Sequence, residues 1–305
     1  MVELEQIKGA YGFSVGEWIV PGETFRTEKG VKTIKWWENH HTMNWHIQWR
    51  EALDNKGICL TNRMIRTKDH EMSFLCTKGW LTLHDEVTSL FSYQGREEEL
   101  ASLIAGVINT GYTMDWRDAK GTHLSEEVIK HAVVDLPETV DPIVQSILKK
   151  TMDEAITRFK KAERLPVSSL EKCPIIDPLG SVKNGKEIFG QLFWSFLGQT
   201  PEVGYRSITF FLREYVSVYG KESTNRLLTA LKEEESFDDA IMMRLLKEAV
   251  LPWEFIKTVE KLRYVKTKEE STRLLEEMYD TWEQSRALVT TISTWLDGKR
   301  EKVAN

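Results

Sequence analysis

Residues 16–37 read GEWIVPGETFRTEKGVKTIKWW. Three short runs, 16–20, 24–26 and 31–37, are rich in β-branched and aromatic residues, and Pro21-Gly22 and Lys29-Gly30 punctuate them as turns. The pattern predicts a three-stranded antiparallel meander. Beyond it, residues 42–52 carry Met43, Trp45, Ile47 and Trp49 with no Gly or Pro, and Gly57 stands where a helix would stop, so a helix is expected there. A second antiparallel group is expected from 58–66, 72–77 and 80–84, with turn signals at Lys68-Asp69 and Lys78-Gly79.

After Gly95 the character changes. Leu100, Leu103, Ile104, Val107 and Ile108 repeat at three and four, which predicts a helix over 96–109 ending at Gly111. Further helices are expected at 126–133 and at 142–161, the second with Pro142 at its first position. A loop region at 166–185 holds one short apolar strand, 174–177. Helices are then expected at 188–197, 203–219, 224–232, 237–250, 252–262 and 269–295, with a frayed tail from 297. The result is an α+β chain, a β-rich lobe over 1–93 followed by a mainly helical lobe over 94–305. Bilobal nucleotide-binding kinases share this order.

Composition narrows the classes. The chain has 305 residues, of which 41% are hydrophobic and 29% charged, as expected for one large domain or two lobes rather than a disordered or fibrous protein. A net charge of −6 supplies no global basic field for nucleic acid. No apolar run approaches the roughly 20 residues that span a bilayer. No basic segment followed by an apolar stretch opens the sequence, so the expectation is a protein made and kept inside the cell. Three cysteines, Cys59, Cys76 and Cys173, are too few and too widely spaced for a disulfide framework or a zinc site, and are expected to be small buried hydrophobes. Eleven tryptophans, seven of them before residue 117, imply a first third that is either well packed or sticky.

Several stretches carry a family resemblance. In 31–35, VKTIK, the third strand ends in Lys35, which resembles the phosphate-gripping lysine of kinase-like folds. Residues 59–81, CLTNRMIRTKDHEMSFLCTKGWL, resemble the strand–turn–strand segment of the CotS/YutH group of bacterial spore coat proteins. The helix over 98–111 occupies the place of that group's LAxLHxxG helix, with Ile108 standing for the histidine. Residues 246–264, LKEAVLPWEFIKTVEKLRY, resemble its LLFPxxFxxxxExYY helix pair. The similarity runs from about Ile7 to the C-terminus and is nearest the YutH branch, whose members are degenerate kinases. It implies a bilobal protein-kinase-like, aminoglycoside phosphotransferase-like fold, other spore coat proteins as partners, and deposition on the spore coat.

Set against the parts a phosphotransferase needs, the residues are uneven. Gly16, Gly22 and Gly30 form no GxGxxG loop. Lys35 is the best surviving element, either a nucleotide-binding residue or an ordinary strand lysine, with Glu51 as its candidate helix partner and Glu38 as a competitor. The active pattern is HGD with Asn roughly five residues on. No HxD occurs among His40, His41, His46, His70, His84, His123 and His131, so no catalytic residue is assigned. Between 164 and 185 the only carboxylates are Glu171 and Asp177. Asp177, in the run PIIDP, is read either as a vestigial magnesium ligand or as an Asp-Pro turn residue. ATP and magnesium are therefore the cofactors in question, held weakly if at all.

Other groupings offer less. His40, His41 and His46 lack companion metal ligands, and Ser168, Ser169 and Ser181 have no histidine downstream. The cations Lys149, Lys150, Arg158, Lys160, Lys161 and Arg164 read as a solvated face or as a contact for an acidic partner. Three functions stay open: a catalytically impaired kinase-like coat protein, an active small-molecule phosphotransferase with unorthodox residues, and a helical adaptor whose likeness to kinases is accidental.

Overall fold

The computed structural model describes residues 4–57, 59–116, 124–167 and 172–304, the side chains only to residue 298. Ser168, Ser169, Glu171 and His123 lie outside the described residues. The chain forms two compact units, Met1–Ala119 with Pro174–Glu202, and Lys120–Cys173 with Val203–Asn305. The lobe boundary expected at 93–94 falls within the first of these.

The first unit is built on the expected meander. Strands β1 (Glu17–Val20), β2 (Thr24–Thr27) and β3 (Gly30–Trp37) pair antiparallel in sequence order. Helix α1 (Leu4–Tyr11) precedes them, although no helix was expected there. Its Ile7 and Tyr11 join Phe13, Phe25, Ile34, Leu81 and Leu83 in a core, so burial of one face stabilises a segment too short to be helical alone. Helix α2 (His40–Asp54) is capped by Asn39, whose side chain accepts from the His41 and Thr42 amides. The second strand group is shorter than expected. β4 is only Leu60–Thr61, and β5 (Phe74–Cys76) and β6 (Gly79–Asp85) complete the sheet in the order β1-β2-β3-β6-β5. None of the early tryptophans is exposed: Trp37, Trp45, Trp49 and Trp116 are buried and Trp18, Trp36 and Trp80 half-buried.

Helix α3 (Glu97–Thr113) runs through Gly111, which is not a stop. A Cβ there would lie 2.7 Å from Pro174 Cβ and 2.8 Å from Ile176 Cγ2. The glycine lets β7 (Ile175–Ile176) pack against the helix. The other correction is larger. Residues 188–197 are not helical: β8 (Gly185–Ile188) and β9 (Gln191–Trp194) form an antiparallel hairpin, and β4 pairs parallel with β9. At its tip Phe189 and Gly190 both have positive φ, 50° and 74°, as a type I′ turn requires. A Cβ on Gly185 would collide with the Tyr93 hydroxyl, which donates to Val182 O at 2.7 Å.

The second unit is helical. It contains α4 (Glu126–Ala132), capped by Ser125, and α5 (Pro142–Glu163), capped by Asp141. The two-residue strand β10 (Glu202–Val203) precedes α6 (Arg206–Glu233), α7 (Asp239–Val250), α8 (Trp253–Leu262) and α9 (Lys268–Ala304). The two helices expected over 203–232 are the two helical stretches of α6, which are separated at Gly220, where φ of 78° and ψ of 176° are non-helical. The helix expected to end at 295 continues to Ala304, past the start of the supposed frayed tail. Val144, Leu148, Phe255, Val259, Leu262, Met278 and Trp282 are among its core residues. The cationic stripe of α5 is not uniformly solvated. Arg158 turns inward to an ion pair with buried Glu254, with its guanidinium 4.4 Å from the Trp282 ring centroid, while Lys160 pairs with Glu126 at 3.2 Å. None of the cysteines forms a disulfide. All three are half-buried, and burial pushes the Cys59 thiol up to about 12.

Candidate functional site: a cationic cavity beside a buried ion pair

Lys35 sits near the end of β3, in register with Thr82 of β6. Its side chain faces a cavity of about 470 Å³, within the usual range for small-molecule sites. The other walls are the end of β6 with the residues after it (His84–Val87), the turn into β8 (Lys183, Asn184, Lys186), and Ser195, Phe196 and Leu197 after β9. Gly198 packs beside this lysine: a Cβ there would meet Trp37 Cη2 at 2.8 Å and Lys35 Cε at 3.5 Å. The lysine Nζ lies 5.5 Å from the Trp37 ring centroid, a cation–π contact.

His84 is part of the frame rather than a proton carrier. Trp37 Nε1 donates to Thr82 Oγ1 at 2.8 Å, Thr82 contacts His84 Nε2 at 2.9 Å, and His84 Nδ1 lies 2.8 Å from the Asn62 carbonyl. A carbonyl only accepts, so Nδ1 carries the proton and Nε2 accepts from threonine. Burial, reinforced by the charges of Arg50 and Lys35, pushes the imidazole down to about 4, so it is neutral near pH 7.

Glu51 and Asp177 do not join Lys35 at this cavity. Glu51 pairs with Arg66 at 3.1 Å and lines a neighbouring cavity of about 640 Å³ that shares Arg50, Asn62 and Asp85 with the first. Asp177 is fully buried, with Oδ2 3.2 Å from Arg50 Nη2 and 3.2 Å from His46 Nδ1. Neither carboxylate oxygen forms a well-directed hydrogen bond, so the attraction is mainly charge on charge. Burial pulls the Arg50 guanidinium below its ordinary value, and the Asp177 charge opposes that pull. Arg50 also donates to Asn62 Oδ1 at 3.3 Å and to the Phe196 carbonyl at 3.2 Å, and His46 Nε2 donates to Gln199 O at 2.7 Å. Its oxygens accept no turn amide, so the Asp-Pro turn reading does not hold, and its carboxylate lies against two side chains of α2.

The hairpin brings in residues the sequence reading missed. The loop after β7 ends at Asn184, whose Nδ2 donates to Ser195 O at 2.6 Å and whose Oδ1 accepts from Ser181 N at 3.1 Å. Both ends of that amide are spent on holding the loop to β9. Ser195, Phe196 and Leu197 follow β9 and line the cavity beside Lys35. Among the described residues no group of three or more His, Cys, Asp or Glu is placed to hold a metal ion. His41 stacks on Trp116, and His40 lies tilted against Trp80. With Asp177 buried against Arg50, the described residues do not fit a magnesium site.

No protein-family model matches the sequence, and no curated protein matches it. Solved structures do match. An aminoglycoside phosphotransferase from Alicyclobacillus acidocaldarius is 11% identical with a TM-score of 0.67, covering 98% of this chain and 97% of that one. The AMP-bound spectinomycin phosphotransferase APH(9)-Ia is 12% identical with a TM-score of 0.65, covering 93% and 97%. The choline kinase LicA from Streptococcus pneumoniae is 10% identical with a TM-score of 0.54, covering 91% and 96%. At these identities the likeness is one of fold. No helix among the described residues is long and apolar enough to cross a membrane. The chain has the bilobal α+β fold of the aminoglycoside phosphotransferases and choline kinases, with a small antiparallel β lobe and a larger helical lobe.

Proposed function

We propose that this chain is a kinase-like protein that has given up phosphoryl transfer and serves as an interaction component in assembly of the bacterial endospore coat, with other coat proteins as partners. The observation that supports the loss of activity is the pairing of Asp177 with Arg50, together with the absence of any HxD motif from the sequence. Phosphoryl transfer depends on metal ions neutralising the charge between the phosphates, and positioning alone forgoes that contribution. The coat role rests on the resemblance of residues 59–81 and 246–264 to the CotS/YutH group. Phe189, 93% exposed at the hairpin tip, and Tyr264, 82% exposed after α8, are the aromatic contact points this reading favours.

Two experiments test it. The full chain is incubated with radiolabelled ATP, magnesium and a panel of aminoglycosides, choline and amino alcohols. Transfer above background that Lys35→Ala abolishes would instead establish the active phosphotransferase. A fluorescent fusion expressed in a sporulating bacterium should gather around the forespore, and diffuse fluorescence throughout coat formation would refute the coat role.

A further inference from the structure

A cavity of about 310 Å³ lies within the helical unit, between α5, α7 and α9. That volume is at the small end of the range for small-molecule sites. Its floor is apolar, made by Leu246 and Val250 of α7, Trp282 and Val289 of α9, and Leu165 just past α5. Arg158 forms one wall, with its guanidinium over the Trp282 ring. It is already spent, donating to the carbonyls of Val250 and Leu251 at 2.9 and 3.1 Å and to buried Glu254. Other polar groups are uncommitted. Lys161, part of the cationic stripe of α5, is exposed and has no ion-pair partner among the described residues. Ser293 of α9 is half-buried, and its hydroxyl has no hydrogen-bond partner among the described residues. Arg286 is 60% exposed, 3.1 Å from Glu283 and 4.0 Å from Glu154, and exposed pairs of this kind hold weakly. Glu154 is the only carboxylate in the lining.

We infer that this cavity binds a small amphipathic carboxylate, its apolar body on the floor and its carboxylate held by Lys161 and Arg286, with the Ser293 hydroxyl as a further donor. The inference goes beyond the proposed function and depends neither on the loss of phosphoryl transfer nor on the coat role. Burial of the apolar body supplies the affinity, and the few polar groups at the rim set orientation and sign. A floor of leucine, valine and tryptophan gives a multiply charged or strongly hydrated ligand nothing to replace its water. A carboxylate meets the planar fork of arginine with two oxygens and the lysine as a point charge. An amine on the same body would face two cations and have only Glu154 to pair with.

Calorimetric titration of the full chain tests this with octanoate and phenylpropanoate, an aliphatic and an aromatic carboxylate. Octylamine serves as the same tail with the opposite charge, and acetate as the head without a body. At least one of the two amphipathic carboxylates should bind saturably below millimolar concentration and raise the melting temperature. Octylamine should bind about tenfold more weakly, and acetate should give no heat. Lys161→Met should weaken carboxylate binding about tenfold, and Lys161→Arg should retain it. Val289→Trp fills the floor from α9 and should abolish binding. Lys161 is exposed, so its variants keep the fold even if Val289→Trp, at a half-buried position, does not. Three results overturn the inference: no binding of either carboxylate at millimolar concentration, octylamine binding as tightly as octanoate, or carboxylate binding that survives both Lys161→Met and Val289→Trp unchanged. Any of these would leave the proposed function standing, since neither phosphoryl transfer nor forespore localisation is read through this cavity.

Discussion

Replacing Arg50 by methionine isolates the contribution of the buried ion pair. Arg50 is 2% exposed and Asp177 fully buried, and the closest approach is 3.2 Å. At an effective dielectric of about 20, opposite unit charges at that separation attract by about 5 kcal/mol. The variant loses this term and leaves a carboxylate without its strongest partner, although His46 remains at 3.2 Å. It also removes the donors to Asn62 and Phe196. The expected cost is about 3–5 kcal/mol. The double variant Arg50→Met/Asp177→Leu removes both charges and should unfold within about 1 kcal/mol of the parent, because two desolvated ions give way to apolar contacts. Urea unfolding followed by tryptophan fluorescence reads the difference, with Trp45 and Trp49 stacked on the same helix as Arg50. A single variant costing under about 1 kcal/mol, or a double variant whose loss equals the sum of the two single ones, would refute the account.

Other expectations follow from the same structure. His84 is neutral when folded and takes a proton more readily when unfolded, so stability should fall as pH drops from about 6.5 to about 4, by on the order of 3 kcal/mol in total. His84→Asn should flatten that part of the urea-midpoint profile, and an unchanged slope would count against the assignment. Phe189 holds a left-handed conformation at 93% exposure, so Phe189→Asn gives up no burial and should raise stability by about 1 kcal/mol; a lowered melting temperature would contradict this. Gly111→Ala improves helix propensity yet drives a methyl into Pro174 and Ile176, and a net loss of about 1–3 kcal/mol is expected by thermal unfolding.

The meander and the helices α2 and α5 are legible because their signals are local: β-branched and aromatic runs closed by glycine turns, an apolar run unbroken by Gly or Pro, and Pro142 at a helix start. The hairpin at 185–194 was misread for an equally local reason. Ile188, Leu192 and Phe196, like Phe189, Phe193 and Leu197, are spaced by four, which imitates a helical stripe. The deciding residue was Gly190, and a phenylalanine beside it in the left-handed region is an uncommon turn choice. That error hid Asn184 and Ser195, since a helix there leaves no place for the loop and strand that present them. Asp177 was visible as an isolated acid, but its partners lie on α2, far away in sequence, and no spacing rule connects them. Arg50 went unremarked because on an amphipathic helix an arginine reads as a surface residue.

The first unit is discontinuous, and this sets a timetable for biosynthesis. Its opening stretch, Met1–Ala119, leaves the ribosome well before Pro174–Glu202, with a piece of the other unit emerging in between. At about 5–20 residues per second the wait is on the order of ten seconds. Throughout it the nascent α2 carries Arg50 and His46 with no Asp177 to meet, and β4 has no β9 to pair with. Folding from the N-terminus cannot finish this unit piecewise. Until the hairpin arrives the core of this unit stays half built, with apolar surface exposed that the finished unit buries.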